Sequence, residues 1–262
     1  MNYPNLERLI EILAILRSEN GCPWDREQTH YSLKKNMIEE AYEAVDAIED
    51  NDMIHLKEEL GDVLLQVVLH SQIAKEEKAF DIEDVAKGIS DKLVHRHPHV
   101  FGTEKINNAN EVVDVWEKLK AEEKTHRKSA MDGISKAQSA LMSAQKISKN
   151  AVKKGFEWPN EESLWECFES EVCEFKQAIS NNDKENAEEE LGDILFATVN
   201  LARWNKIDAE QALLKANKKF MKRFRKMEEL ATKPLEDYNF EEYDFLWKQA
   251  KKALSEANNL QQ

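Results

Sequence analysis

The chain has 262 residues, 34% of them charged, and carries a formal net charge of −14. Such an acidic balance argues against a general affinity for DNA or RNA, whose phosphates need a basic surface, and no apolar run reaches the roughly 20 residues that span a bilayer. Cys22, Cys167 and Cys173 cannot all pair and show no CxxC spacing, so neither a disulfide scaffold nor a structural zinc site is expected, and the setting expected is cytoplasmic.

Prolines stand only at 4, 23, 98, 159 and 234, leaving three long stretches free of that helix breaker. In the first half, helices are predicted over 5–19, 29–50, 53–76 and 82–96. The opening segment, Leu6 to Leu16, is interrupted by Glu7, Arg8 and Glu11 and resembles neither a signal peptide nor an anchor. Further on, apolar residues recur at spacings of three and four, first Met37, Ala41, Ala44, Val45 and Ile48, then Leu60, Val63, Leu64, Val67 and Val68. Asp81 is a candidate N-cap. Residues 98–130 hold His-Pro-His, Gly102, an Asn-rich turn from Asn107 to Asn110 and a charged segment, and they read as a connector, partly helical and mobile at its ends. The second half predicts helices over 134–153, 161–180, 184–205 and 209–231, with a last one after Pro234; Asp208 is its matching cap, followed three residues later by Gln211. Period-two alternation is scarce. The expected fold is all-α, with two tandem related antiparallel helical-bundle domains, 1–102 and 131–262, on either side of a connector over 103–130.

The two halves share more than helix spacing. Glu40, Glu43, Glu59 and Asp62 each recur at one constant offset along the chain, as Glu171, Glu174, Glu190 and Asp193. The same offset matches Ser32 with Ser163, Leu33 with Leu164, Ala47 with Ala178, Ile48 with Ile179 and Val68 with Val199, which marks an internal duplication. An i, i+3 pair shares one helix face, so two pairs on facing helices can turn four carboxylates into one pocket. Both second pairs sit in Glu-Leu-Gly-Asp, and a glycine inside a helix, costing roughly 1 kcal/mol relative to alanine, suggests a packing reason.

Converging carboxylates repel unless a cation lies between them. All-oxygen ligands without paired His or Cys favour Mg²⁺, with Mn²⁺ as a possible substitute. A di-iron bundle would need Glu-x-x-His from two helices, and the single Glu27 to His30 match has no partner. Magnesium held by a few carboxylates points to hydrolysis of a phosphate ester or anhydride, which also needs fixed cations. From Lys215 to Lys226 the chain has seven basic residues and no acid. On that helix Phe220, Phe224 and Met227 are expected to face the core, while Lys219 and Arg223 form a common flank, with Lys222 beside them. Aligned on the caps Asp81 and Asp208, Lys92 and Arg96 of the first half match Lys219 and Arg223. The alternative for the basic run is a solvated face.

Taken together, these motifs resemble the MazG family of nucleoside triphosphate pyrophosphohydrolases. The first half carries Gly21-Cys22-Pro23-Trp24-Asp25, Gln28-Thr29-His30, Glu39-Glu40 with Glu43, Glu59 to Asp62, and Arg96-His97-Pro98-His99-Val100-Phe101-Gly102. The second carries Gly155-Phe156-Glu157-Trp158, Glu171 to Glu174, Glu190 to Asp193 and the run from Lys219 to Arg225. The resemblance implies an all-α homodimer that depends on Mg²⁺ and hydrolyses NTPs or dNTPs to the monophosphate and pyrophosphate. It assigns metal ligation and catalysis to Glu171, Glu174, Glu190 and Asp193, with Glu40, Glu43, Glu59 and Asp62 as first-half counterparts. One departure is that the doubled acid Glu39-Glu40 becomes Ser170-Glu171 in the second half.

On this reading Lys219, Lys222 and Arg223 hold phosphate oxygens and Glu39 accepts a proton. Trp24 and Trp158 either stack on a base or serve as buried structural tryptophans. His95, His97 and His99, alternating beside Pro98, suit a loop or helix end better than metal ligation. The Lys-rich helix favours the second half as the main site. The competing expectation is a helical regulatory or interaction protein with a vestigial metal site.

Overall fold

The protein is described from a computed structural model, which describes residues 3–103, 108–123 and 128–259. The chain divides into two units, Met1–Thr125 and His126–Gln262. Among the described residues there is no strand, and no helix is long and apolar enough to cross a membrane.

The first unit contains α1 (Pro4–Leu16), α2 (Pro23–Glu27), α3 (Lys34–Glu49), α4 (Met53–Glu76), α5 (Ile82–Arg96), α6 (Pro98–Phe101) and α7 (Ala109–Glu122). Its centre is the hairpin of α3 and α4; α1 and α5 pack on α4, and α6 and α7 on α5. The second unit contains α8 (Ala140–Val152), α9 (Glu161–Ser180), α10 (Lys184–Trp204), α11 (Ala209–Leu230), a short 3₁₀ turn (Leu235–Asp237) and α12 (Phe240–Asn259). There α9 and α10 form the hairpin, α8 packs on α10 and α11, and α12 packs on α11.

The two hairpins turn the same way for the same reason. Asn51 and Asn182, matched by the repeat, take φ of 54° and 56°, a left-handed conformation that asparagine tolerates better than most residues. Each is followed by an aspartate N-cap: Asp52 accepts from the backbone N–H of Ile54 and His55, and Asp183 from that of Asn186. Burial repeats as well. Leu33 and Leu164, Ala47 and Ala178, and Val68 and Val199, three of the five matched pairs, are all buried, while Ile48 and Ile179 are both exposed. In the first unit Leu33 and Val68 join Leu13, Leu69 and Ile73 in one cluster.

The predicted helices over 53–76, 82–96 and 161–180 are observed at those bounds. Elsewhere local hydrogen bonds and close backbone approaches move the ends. Instead of running to residue 19, α1 stops at Leu16, because Cys22 N–H returns to the Leu16 carbonyl and Gly21 passes so close to the Leu16 and Ile15 carbonyls that a Cβ would collide with them. Residues 29–33 form a turn closed by Thr29 and Ser32, each hydroxyl accepting from the other's backbone N–H, so α3 starts late. Ser139 caps α8, which begins there and not at 134. Within the expected connector, α7 is a helix lying against α5; Asn107 and residues 124–127 fall outside the described residues.

One side chain ties the first unit's loop to its hairpin. Arg17, only 6% exposed, donates from Nε and Nη2 to Glu76 at 3.0 and 2.7 Å, and from Nη1 to the carbonyls of Gln28, at 3.1 Å, and Asp25. These bonds hold the Glu76 carboxyl below its ordinary value. Arg17→Ala removes the donors to Glu76 and to the Gln28 carbonyl, while the Asp25 carbonyl keeps the Gln28 N–H, so the expected loss is about 2 kcal/mol, discounted for the partial exposure of Glu76. Arg17→Lys recovers less than half, because an ammonium cannot reproduce the fork. Urea denaturation of the three chains checks both outcomes.

Candidate functional site

Helix periodicity brings the acids together. Glu40 and Glu43 lie three residues apart on α3 and meet Glu59 of α4, with one ligand oxygen from each within 4.8 Å of the others. Glu171 and Glu174 of α9 meet Glu190 of α10 in the same way. Asp62 and Asp193 stand outside these groups of three, yet near enough for Asp62 to raise the Glu40 pKa and Asp193 that of Glu190. Desolvation is the larger cause at Glu40, Glu43 and Glu190, followed by the facing carboxylates: Asp62 for Glu40, Glu59 for Glu43, and Glu174 for Glu190.

Glu59 is the most committed member. It is 6% exposed, and its Oε1 lies 2.8 Å from His55 Nε2. Its other oxygen, Oε2, is buried and has no hydrogen-bond partner among the described residues. A buried carboxylate oxygen without a donor is unfavourable by the full loss of its hydration. A hard cation answers that deficit, and carboxylate oxygens alone suit Mg²⁺ or Mn²⁺.

The two trios differ in their surroundings. Glu39 is half-exposed, 4.0 Å from Lys35, and its charge pushes up Glu40 and Glu43. In the second unit Ser170 stands in its place and donates to Glu174 at 2.8 Å. Cys167 approaches Glu171, Sγ to Oε1 at 3.7 Å, and burial followed by the Glu171 charge raises its thiol. All three cysteines are free thiols.

A chamber of about 330 Å³ opens beside the second trio, between α8, α9, α10 and the loop before α9. Glu171, Asp193 and Cys167 lie on its wall, as do Trp158, Phe156 and Phe196. Trp158 is thus a half-buried residue of the chamber wall. Trp24, by contrast, is 60% exposed on α2. The wall also holds a polar network that the motifs touched only at Glu157: Ser148 donates to Asn200 Oδ1 at 2.5 Å, Arg203 Nε donates to Ser148 at 2.7 Å, and Arg203 pairs with Glu157. None of these four recurs in the first half, so only the folded chain reveals that they meet.

The basic helix is less covered than expected. Met227 is buried, but Phe220 and Phe224 remain exposed in part and Phe220 packs against Trp247 of α12. Arg223 lies over the Trp247 ring, 5.6 Å from its centre, while Lys219 and Lys222 are exposed. Among the described residues, none of these three forms an ion pair with the acid trio. In the first unit Arg96 lies over Trp116 of α7 at 5.3 Å and pairs with Glu123. Trp116 and Trp247 stand at the same offset as the acids, so the duplication extends into the expected connector. The helix glycines also depart from expectation: among the described residues a Cβ at Gly61 or Gly192 meets nothing within 4 Å, so no packing there calls for them. His97 Nδ1 sits 2.6 Å from the Leu93 carbonyl at the end of α5, as a helix-end residue would.

This duplicated arrangement has known counterparts. The MazG nucleotide pyrophosphohydrolase domain family matches residues 28–101 and again 160–227, one match on each hairpin. A Thermotoga maritima protein named nucleoside triphosphate pyrophosphohydrolase/pyrophosphatase MazG is 47% identical over 249 residues, covering 94% of this chain and 95% of its own. The nucleoside triphosphate pyrophosphohydrolase of Escherichia coli K12 is 44% identical over 257 residues, covering 94% and 97%. A crystal structure of a MazG-related protein from Thermotoga maritima matches 44% of this chain and 98% of its own at 32% identity, with a TM-score of 0.38. Matched on both hairpins and aligned with relatives along nearly its whole length, the chain belongs to the MazG nucleotide pyrophosphohydrolase family.

Proposed function

We propose that the chain hydrolyses nucleoside triphosphates to the monophosphate and pyrophosphate, with Mg²⁺, or Mn²⁺ in its place, as cofactor. The observation that carries the reading is a carboxylate trio written twice, in one copy with a buried Glu59 oxygen that has no donor among the described residues and in the other with Glu171 on the wall of a chamber. Glu171, Glu174, Glu190 and Asp193 hold the cation in the second unit, and Glu40, Glu43, Glu59 and Asp62 in the first. When bound, it neutralises charge on the phosphoanhydride and acidifies a water for attack. Trp158 presents a flat face for a base. Lys219, Lys222 and Arg223 are assigned to the phosphates; the first two carry ammonium groups that no acid engages among the described residues. Glu39 is placed to take up a proton in the first unit, whereas Ser170 gives the second no such acid.

A homodimer completes this reading. Leu60, Leu64, Leu191 and Leu195 are exposed apolar residues flanking Gly61 and Gly192, and the open space at those glycines suits close approach by a second copy. Free thiols in all three cysteines are compatible with a cytoplasmic setting.

Incubation with each NTP and Mg²⁺ yields pyrophosphate and not orthophosphate as the first product; orthophosphate alone defeats the proposal. Because the chamber adjoins only the second trio, Asp193→Asn lowers kcat/KM about 100-fold and Asp62→Asn less than about 3-fold, a difference of the size that loss of one transition-state contact produces. Equal losses would reverse that ranking of the sites.

The raised carboxyl groups give a pH signature. With folded values above the ordinary 4.5, Glu40, Glu43 and Glu190 bind protons more readily in the folded chain, so their contribution to stability is present below 4.5 and lost as pH rises through the folded values. A bound cation removes that loss. Mg²⁺ therefore raises Tm by several degrees more at neutral pH than near pH 5, with an EDTA-treated sample as reference; a shift independent of pH counts against ligation by these groups.

A further inference from the structure

The chamber has a polar end that the acid chemistry does not use. Arg203 carries donors only, so its 2.7 Å contact makes Ser148 Oγ an acceptor there. The Ser148 hydroxyl proton then points to Asn200 at 2.5 Å, which identifies the amide atom it meets as Oδ1 on chemical grounds. Asn200 is 9% exposed and lines the chamber, and its Nδ2 has no partner among the described residues. Glu157, the acceptor at this end, is engaged by both Arg203 Nη groups, at 2.7 and 2.6 Å, and by the Trp158 backbone N–H at 2.9 Å. What this end offers a ligand is therefore a donor, fixed in orientation.

Its position matches its chemistry. Asp193, Phe196, Ala197 and Asn200 follow one face of α10, so the acid and amide ends lie about 10 Å apart along the axis at 1.5 Å per residue. That is comparable with the separation between the α phosphate of a nucleotide and the far edge of its base. Trp158 lines the same chamber. At the position that the repeat matches with Asn200, the first unit has Leu69, buried in the core.

We infer that Asn200 is a specificity-determining residue, and that the second unit selects nucleotides whose base turns a carbonyl oxygen, not an exocyclic amine, toward this end. A carbonyl accepts from Nδ2. An amine sets donor against donor and leaves both unpaired in a secluded place. This rests on the hydrolase reading above, and Ser148 enters as a positioning residue that holds the amide.

Two nucleotide pairs probe the edge: ITP against ATP, and UTP against CTP, each exchanging an oxo for an amino substituent together with the proton on the adjacent ring nitrogen. Pyrophosphate release from the full chain is expected to give kcat/KM ratios of at least about tenfold in favour of the oxo member. Asn200→Asp, which keeps the bond from Ser148 but replaces the donor with an acceptor, lowers both ratios toward or past one. Ser148→Ala lowers them as well, and it serves if the Asp variant does not fold. General structural damage would slow both members of a pair alike and leave the ratio unmoved. Wild-type ratios near one, or a preference that survives both substitutions, overturn the inference while leaving the hydrolase intact. Pyrophosphate release from no nucleotide removes the hydrolase reading and this one with it.

Discussion

Everything in this protein is arranged around the cost of holding carboxylates together. Oxygens of three glutamates within 4.8 Å of one another repel, and the helical hairpin that gathers them must be stable enough to tolerate the repulsion. The structure meets that demand away from the acids: in the buried Leu33, Ala47 and Val68 of one hairpin and the matching Leu164, Ala178 and Val199 of the other. Aspartate caps and asparagine turns then fix the register in which the acids face one another. Packing supplies the scaffold, and the site carries the strain that a cation relieves.

The two copies resolve this demand differently. In the first, Glu59 is buried beside His55 and Glu39 adds further charge. In the second, Ser170 donates to Glu174, so one carboxylate is partly satisfied before any ligand arrives. The same divergence runs along the second helix of each hairpin, where a buried leucine in one copy corresponds to an amide on a chamber wall in the other. Duplication preserved the cradle and let its surroundings part.

Much of this was legible in the chain. Periodicity located the helices, and the caps at Asp81 and Asp208 act as caps, accepting from Asp84 and Gln211 N–H. The acid trios were readable because an i, i+3 pair is a local object whose facing is set by helix geometry alone. Helix starts at residues 34 and 140 were less so, since Thr29, Ser32 and Ser139 compete for backbone groups that periodicity would hand to the helix. Phe220 and Phe224 show another limit: a helix face can be apolar and yet be only partly covered by a following helix. The polar end of the chamber was hidden for a third reason, because Ser148, Glu157, Asn200 and Arg203 converge from three separate segments with no shared spacing.

The placement of each acid set on a single hairpin bears on how the protein reaches its native state. Glu40 to Asp62, and Glu171 to Asp193, each span one short stretch of chain closed by a tight turn. Contacts of such low sequence separation have little loop-closure entropy to overcome, and they form early when a chain folds. Each cradle is thus among the most local tertiary features of its half, able to take shape as soon as its own two helices meet. The chamber that distinguishes the second copy needs α8 as well, and so depends on contacts of longer sequence separation than the acids it adjoins.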